Sequence, residues 1–181
     1  YANATYGQLP ANGREIMVEY SSPNTNKPLH LGHLRNNFLG YSVAELYKAN
    51  GYTVHKVQII NDRGIHICKS MIAYQRFGEG ITPESSGIKG DHLVGDFYVK
   101  FAREFARQLA ELKERRPELK DGSEEDLFLE TEIGRAAQEM LRDWEAGRPE
   151  VVELWRRMNG WVLDGFSQTY RRMGVSFDRV Y

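Results

Sequence analysis

A single cysteine, Cys68, stands in the 181 residues of this sequence. It allows no internal disulfide and no cysteine-built metal cluster, and a reducing, cytoplasmic setting is the default expectation. No apolar run approaches the roughly 20 residues that cross a bilayer, and no charged-then-apolar leader opens the chain, so no membrane partner is expected. Net charge is nearly absent too, with 24 basic residues against 25 acidic ones. A global charge argument for nucleic acid is therefore missing, although a balanced total leaves room for a local basic patch. Internal repeats and low-complexity tracts are also lacking.

What is present fits a globular protein: 41% of residues are hydrophobic and 27% charged. The length suits one compact domain, or one domain with a large insertion. The chain opens on Tyr1 in a polar stretch and stops within "VSFDRVY", which reads as a strand just beginning. An excised piece of a longer protein is expected.

"EIMVEY", Glu15 to Tyr20, reads as a short strand. A polar loop follows, with Ser21, Ser22, Pro23, Asn24, Asn26, Lys27 and Pro28. Pro28 suits the first turn of a helix, where its missing N–H costs nothing. A helix is predicted from about Leu29 to Asn50, with Leu31, Leu34, Phe38, Tyr41, Val43, Leu46 and Tyr47 at helical spacing. "YTVHKVQII" reads as a second strand and Gly64 to Phe77 as a second helix. This is a βαβ unit with a parallel pair.

After Gly78 a Gly/Ser/Pro-rich loop gives way to helices. One carries the stripe Val94, Phe97, Phe101, Phe105, Leu109, Leu112. A second is predicted to begin at Ser123, with acidic residues in its first turn, and a third follows Pro149 and ends at Gly174. The predicted class is α/β: half of a Rossmann-type parallel sheet with a largely helical insertion. Its predicted parts are 1–78 (the βαβ half), 79–174 (the insertion) and 175–181 (the return to the core).

In such a unit, ligands bind at the carboxyl ends of the strands. The loop after "EIMVEY" lies there. His30 and His33 bracket Gly32 in the predicted first turn, three residues apart on one face. A helix amino end with two imidazole donors suits phosphate and charge developing during phosphoryl or nucleotidyl transfer. Gly32 leaves room for a flat base or ribose. Two other readings stand at this point. A zinc site needs further ligands, and the nearest, Glu19 and Glu45, lie on the strand or some turns along the helix. Alternatively, both histidines are surface residues at a helix start.

"SSPNTNKPLHLGHLRN" resembles the His-x-Gly-His signature of class I aminoacyl-tRNA synthetases, and specifically that of arginyl-tRNA synthetases, through the "SPN" ahead of "KPLHLGHLR". "GYTVHKVQIINDRG", "GDHLVGDFYVKF" and the block from Val151 to Tyr181 continue the resemblance over nearly the whole chain. The resemblance implies activation of L-arginine by ATP with Mg2+ and transfer to tRNA(Arg). It implies that His30 and His33 contact ATP and stabilise a pentacovalent α-phosphate, with Gly32 beside the adenosine. Ser22 and Asn24, with His33 nearby, are implied to hold the arginine amino and carboxylate groups, and Glu19 its positive charge. Lys27 occupies the place where some relatives put a phosphate-gripping lysine when the family's second signature, Lys-Met-Ser-Lys-Ser, lacks its own. That second signature is absent from 1–181, so the chain alone is expected to be inactive.

No protein-bound metal is expected, and a monomer is. Arg63 departs from the Trp or Ala that relatives often place in the Asp62-Arg63-Gly64 turn, where Asp62 is read as shaping the turn. His55, His66 and Cys68 are read as packing or surface residues, and His92 as a helix cap. The rival functions are a non-synthetase His-x-Gly-His nucleotidyltransferase and a helical adaptor that kept a nucleotide-fold remnant.

Overall fold

Glu15–Ser21 forms strand β1 and Thr53–Gln58 forms β2, and the two pair in parallel. Helix α1 (Leu31–Ala49) makes the crossover between them. A third parallel strand, β3 (Arg179–Val180), adds to the far edge of β2, giving the order β1-β2-β3. This is a computed structural model, and it describes residues 5–181. The first four letters of the polar opening, 1–4, lie outside the described residues.

The chain divides into two compact units. One comprises the stretch ending at Asn24, Leu29–Asn61 and Phe166–Tyr181; the other comprises Thr25–Pro28 and Asp62–Gly165. These divisions differ from the expected 78 and 174. Helix α2 (Ile65–Phe77) packs on other helices of the second unit, and the last turns of the chain's final helix count with the sheet.

In the sheet unit, β1 turns Tyr20 toward α1. Tyr20 lies edge-on to Tyr41, with ring centroids 6.4 Å apart. The helix lies so close that a Cβ on Gly40 would stand 2.0 Å from the Tyr20 Cβ. That closeness explains a departure from expectation in α1. Its buried residues are the small or polar Asn37 and Ala44, in line with Gly40. Leu31, Phe38, Leu39, Val43 and Leu46, which include much of the predicted apolar face, are exposed. Small residues occupy the contact line, so the large ones fall elsewhere.

The start of α1 also differs. Leu31 is its first residue and His30 its N-cap. Pro28, expected at the first helical position, lies two residues ahead of that cap. His30 takes the cap because its imidazole accepts the Gly32 N–H.

The second unit is helical. It contains α2, the short α3 (Pro83–Ser86), α4 (Gly90–Arg115), α5 (Glu132–Glu145) and the first part of α6 (Pro149–Met173). Its core includes the α4 stripe Val94, Phe97, Phe101, Phe105 and Leu109, all buried, and α4 packs on α2, which buries Met71, and on α5, which buries Ile133. Arg76 of α2 forks onto Glu132 of α5, its second amino group at 2.6 Å. The predicted helix start at Ser123 gives way to a capped turn. Ser123 Oγ accepts the Asp126 N–H at 3.1 Å. The chain then passes through a 3-10 turn, Phe128–Glu130, before Thr131 caps α5. The competing force is burial: Leu127 is 4% exposed, and the Phe128 ring packs 5.5 Å from that of Phe105.

Candidate active site

The carboxyl ends of β1 and β2 are fastened side by side, and the candidate residues hang from them. The Ile59 N–H donates to the Ser21 carbonyl at 3.1 Å, and the Asn61 N–H to the Pro23 carbonyl at 3.0 Å. The Asn61 amide donates to Asn24 Oδ1 at 2.7 Å, which leaves the Asn24 amide nitrogen turned to other partners. Beneath them the Tyr170 hydroxyl bonds Ser21 Oγ at 2.9 Å and accepts from Gln58 Nε2 at 2.6 Å. Burial pushes the Tyr170 phenol up, partly offset by these two bonds, so it stays neutral across physiological pH.

His30 and His33 are brought together. Their ring centroids are 4.0 Å apart and tilted by 47°. They form a reciprocal cap: the Gly32 N–H donates to His30 Nδ1 at 3.1 Å, and the His30 N–H donates to His33 Nδ1 at 3.2 Å. A neutral imidazole has one acceptor nitrogen and one donor. With each Nδ1 spent on a backbone N–H, the proton of each neutral ring belongs on Nε2. The tautomer is assigned from these bonds. The fold thus sets two Nε2–H donors at the amino end of α1, where the helix macrodipole is positive. Gly32 has a local reason as well: a Cβ there would stand 3.0 Å from His30 Cε1.

Glu19 and Ser22 are joined, Ser22 Oγ donating to the Glu19 carboxylate. Lys27 is exposed and counts with the helical unit. Asp62 offers its carbonyl to Trp155 Nε1 at 2.8 Å, which fixes the turn it opens. Arg63, the departure from the family pattern, lies over the Trp144 ring at 5.7 Å.

The remaining candidates have separate places. His55 Nε2 is 3.4 Å from Glu15 Oε2. His66 Nδ1 is 3.0 Å from the Tyr98 hydroxyl, and burial, then Lys69 and Lys27, push its imidazole below the usual value. Cys68 is buried, and burial drives its thiol up to about 11, which disfavours the thiolate. His92 does not cap: it lies inside α4, whose cap position, Lys89, makes no side-chain capping bond. Asp91 in the first turn complements the dipole instead. Tyr170 and Asn61, which brace the site, could be given no site role from the sequence, since their partners lie up to 149 residues away. Among the described residues no group of three or more His, Cys, Asp or Glu is placed to hold a metal ion.

A parallel α/β half-sheet with two imidazole donors at the amino end of its first crossover helix is the arrangement of class I synthetase catalytic domains. The chain belongs to the arginyl members of that class: the family described as tRNA synthetases class I (R), catalytic domain, matches residues 2–180. An arginine–tRNA ligase of Amoebophilus asiaticus is 56% identical over 181 residues, 100% of this chain and 30% of that protein. One from Porphyromonas gingivalis is 60% identical over 167 residues, 92% of this chain and 27% of that protein. The chain therefore spans about 30% of the length of the curated relatives it matches. The Thermus thermophilus arginyl-tRNA synthetase structure superposes with a TM-score of 0.68 at 24% identity, over 96% of this chain and 24% of that one. At that identity it speaks for the fold.

Proposed function

We propose that this chain supplies the first half of the catalytic site of an arginine–tRNA ligase. The whole enzyme joins L-arginine to ATP, giving arginyl-adenylate and pyrophosphate, and passes arginine to tRNA(Arg). The reciprocal histidine cap carries the reading, because it engages Nδ1 of both rings with backbone N–H groups and so assigns the proton of each ring, in its neutral form, to Nε2. In the reaction the arginine carboxylate attacks the α-phosphorus and pyrophosphate leaves. His30 and His33 donate to the oxygens that gain charge, each such donor being worth about 10²–10³ in rate. Gly32 keeps the approach to the rings clear for the adenosine.

Ser22 and Asn24 hold the arginine amino and carboxylate groups. Asn24 is oriented for this by Asn61. Glu19, which already accepts from Ser22, faces the positive charge of arginine. Lys27 grips the β- or γ-phosphate. Mg2+ travels with the nucleotide. The described residues offer no set of three ligands for it, and the roles above belong to the protein's own side chains. The enzyme is read as a cytoplasmic monomer; no helix among the described residues is long and apolar enough to cross a membrane.

The test is ATP–pyrophosphate exchange. The complete synthetase is expected to exchange only with arginine, and this chain alone to exchange with nothing. Exchange driven by another amino acid overturns the substrate assignment. Arginine-dependent exchange by the chain alone overturns the half-site reading.

A further inference from the structure

We infer that Gly95 of α4 is a positioning residue for Lys27: the helical unit seats the Thr25–Pro28 loop against the bare backbone of α4 at that glycine. The inference rests on the phosphate-gripping role proposed for Lys27. A Cβ on Gly95 would stand 2.8 Å from Pro28 Cδ and 3.7 Å from Lys27 Cα. The first distance is closer than side-chain packing tolerates, so one partner has to move. Gly95 follows Val94, 2% exposed, and precedes Phe97, 7% exposed, both in the core. The helix is anchored, and the loop is what yields.

The loop's own character fits this seat. Thr25 and Asn26 are 1% and 3% exposed, while Lys27 is exposed. Thr25 Oγ1 and Asn26 Oδ1 are buried without a hydrogen-bond partner among the described residues. Those two atoms do not fasten the loop by hydrogen bonds, and the Pro28 ring packs closely against α4 at Gly95. The arrangement holds the Lys27 backbone still and leaves its ammonium at the surface. Glycine inside a helix is unfavourable relative to alanine, so a glycine within a 26-residue helix has a reason in what touches it.

The experiment compares Gly95→Ala, Pro28→Ala, their double variant and Lys27→Ala in the complete synthetase. Three quantities are read: KM for ATP and for arginine in pyrophosphate exchange, thermal midpoint, and the acetylation rate of Lys27 by mass spectrometry. Gly95→Ala is expected to raise KM for ATP about tenfold, since small misplacements of a positioned group are costly. KM for arginine stays as it was, and Lys27 acetylation changes. Adding Pro28→Ala removes the ring carbon that the new methyl meets, and is expected to restore both readouts, a non-additive result. Unchanged KM for ATP together with unchanged acetylation in folded Gly95→Ala overturns the inference, as does strict additivity with Pro28→Ala. If Lys27→Ala leaves KM for ATP unaltered, the phosphate role of Lys27 falls. The positioning claim is then judged on acetylation alone, where a change supports it and no change overturns it. Should Gly95→Ala fail to fold, a folded double variant supports the clash, and an unfolded one overturns it.

Discussion

His30 holds two offices that one pair of substitutions separates. As N-cap it accepts the Gly32 N–H through Nδ1 at 3.1 Å, and as proposed donor it uses Nε2. Alanine removes both. Loss of an N-cap costs about 1 kcal/mol. The other half of the reciprocal cap survives, because His33 Nδ1 takes the backbone N–H of residue 30 whatever its side chain. For a chain of this size, about 1 kcal/mol lowers the midpoint by about 2–4 °C. Asparagine is among the best N-caps, so His30→Asn is expected to keep the midpoint within about 2 °C of the parent. Asparagine cannot reproduce the Nε2–H in its place, so both variants lose about 10²–10³ in arginine activation. Circular dichroism melts of the chain and pyrophosphate exchange by the complete synthetase read the two offices. Equal destabilisation by Asn and Ala refutes the cap. Near-parental activation by His30→Asn refutes the donor.

Tyr170→Phe strips the hydroxyl from beneath the loop roots and leaves Gln58 and Ser21, 5% and 3% exposed, without that partner. A loss of about 1–3 kcal/mol is expected in urea denaturation, and a loss near zero counts against the brace. The Glu104 carboxyl is held down at about 2, first by its hydrogen bond from Arg107. A depressed folded value means stability present above the ordinary 4.5 and lost as pH falls toward 2. The stability difference between the parent and Glu104→Gln is therefore expected to shrink across that window in acid titrations, and to be small throughout because the pair is wet. A difference flat with pH would refute the linkage.

Local chemistry made much of the fold legible. β1, α1 and β2 followed from residue spacing, and the candidate site at the amino end of α1 from its place after the first strand. The helix at Ser123 misled because its capping signal is genuine: Ser123 does cap a turn. Burial of Leu127 and the packing of Phe128 against Phe105 then overrode the local preference, and no window of a few residues reports what a distant helix face will cover. The apolar positions of α1 misled in the opposite way. Spacing located a stripe, but the close contact with Tyr20 selected Asn37, Gly40 and Ala44 for the inner line. At the site, the two histidines were legible as a pair. Their reciprocal cap, and hence the side of each ring that carries the proton, required coordinates. Tyr170 and Asn61 were given no site role because each bonds a partner far off in sequence, through a hydroxyl or an amide.

The register of β3 carries a kinetic consequence. Val57 pairs with Arg179, so two neighbouring strands are 122 residues apart along the chain (179 − 57). Closing an unstructured loop of that length costs about 4 kcal/mol of chain entropy. A two-residue strand offers few ladder bonds in return. The stack of Tyr20 on Phe177, centroids 4.7 Å apart, and the Tyr170 bonds have to supply the rest. Refolding should therefore proceed from local parts outward: α1 zips between its strands, the helices of the excursion gather, and β3 arrives last. The slowest event in forming this sheet is the return of the chain to a strand it left 122 residues earlier.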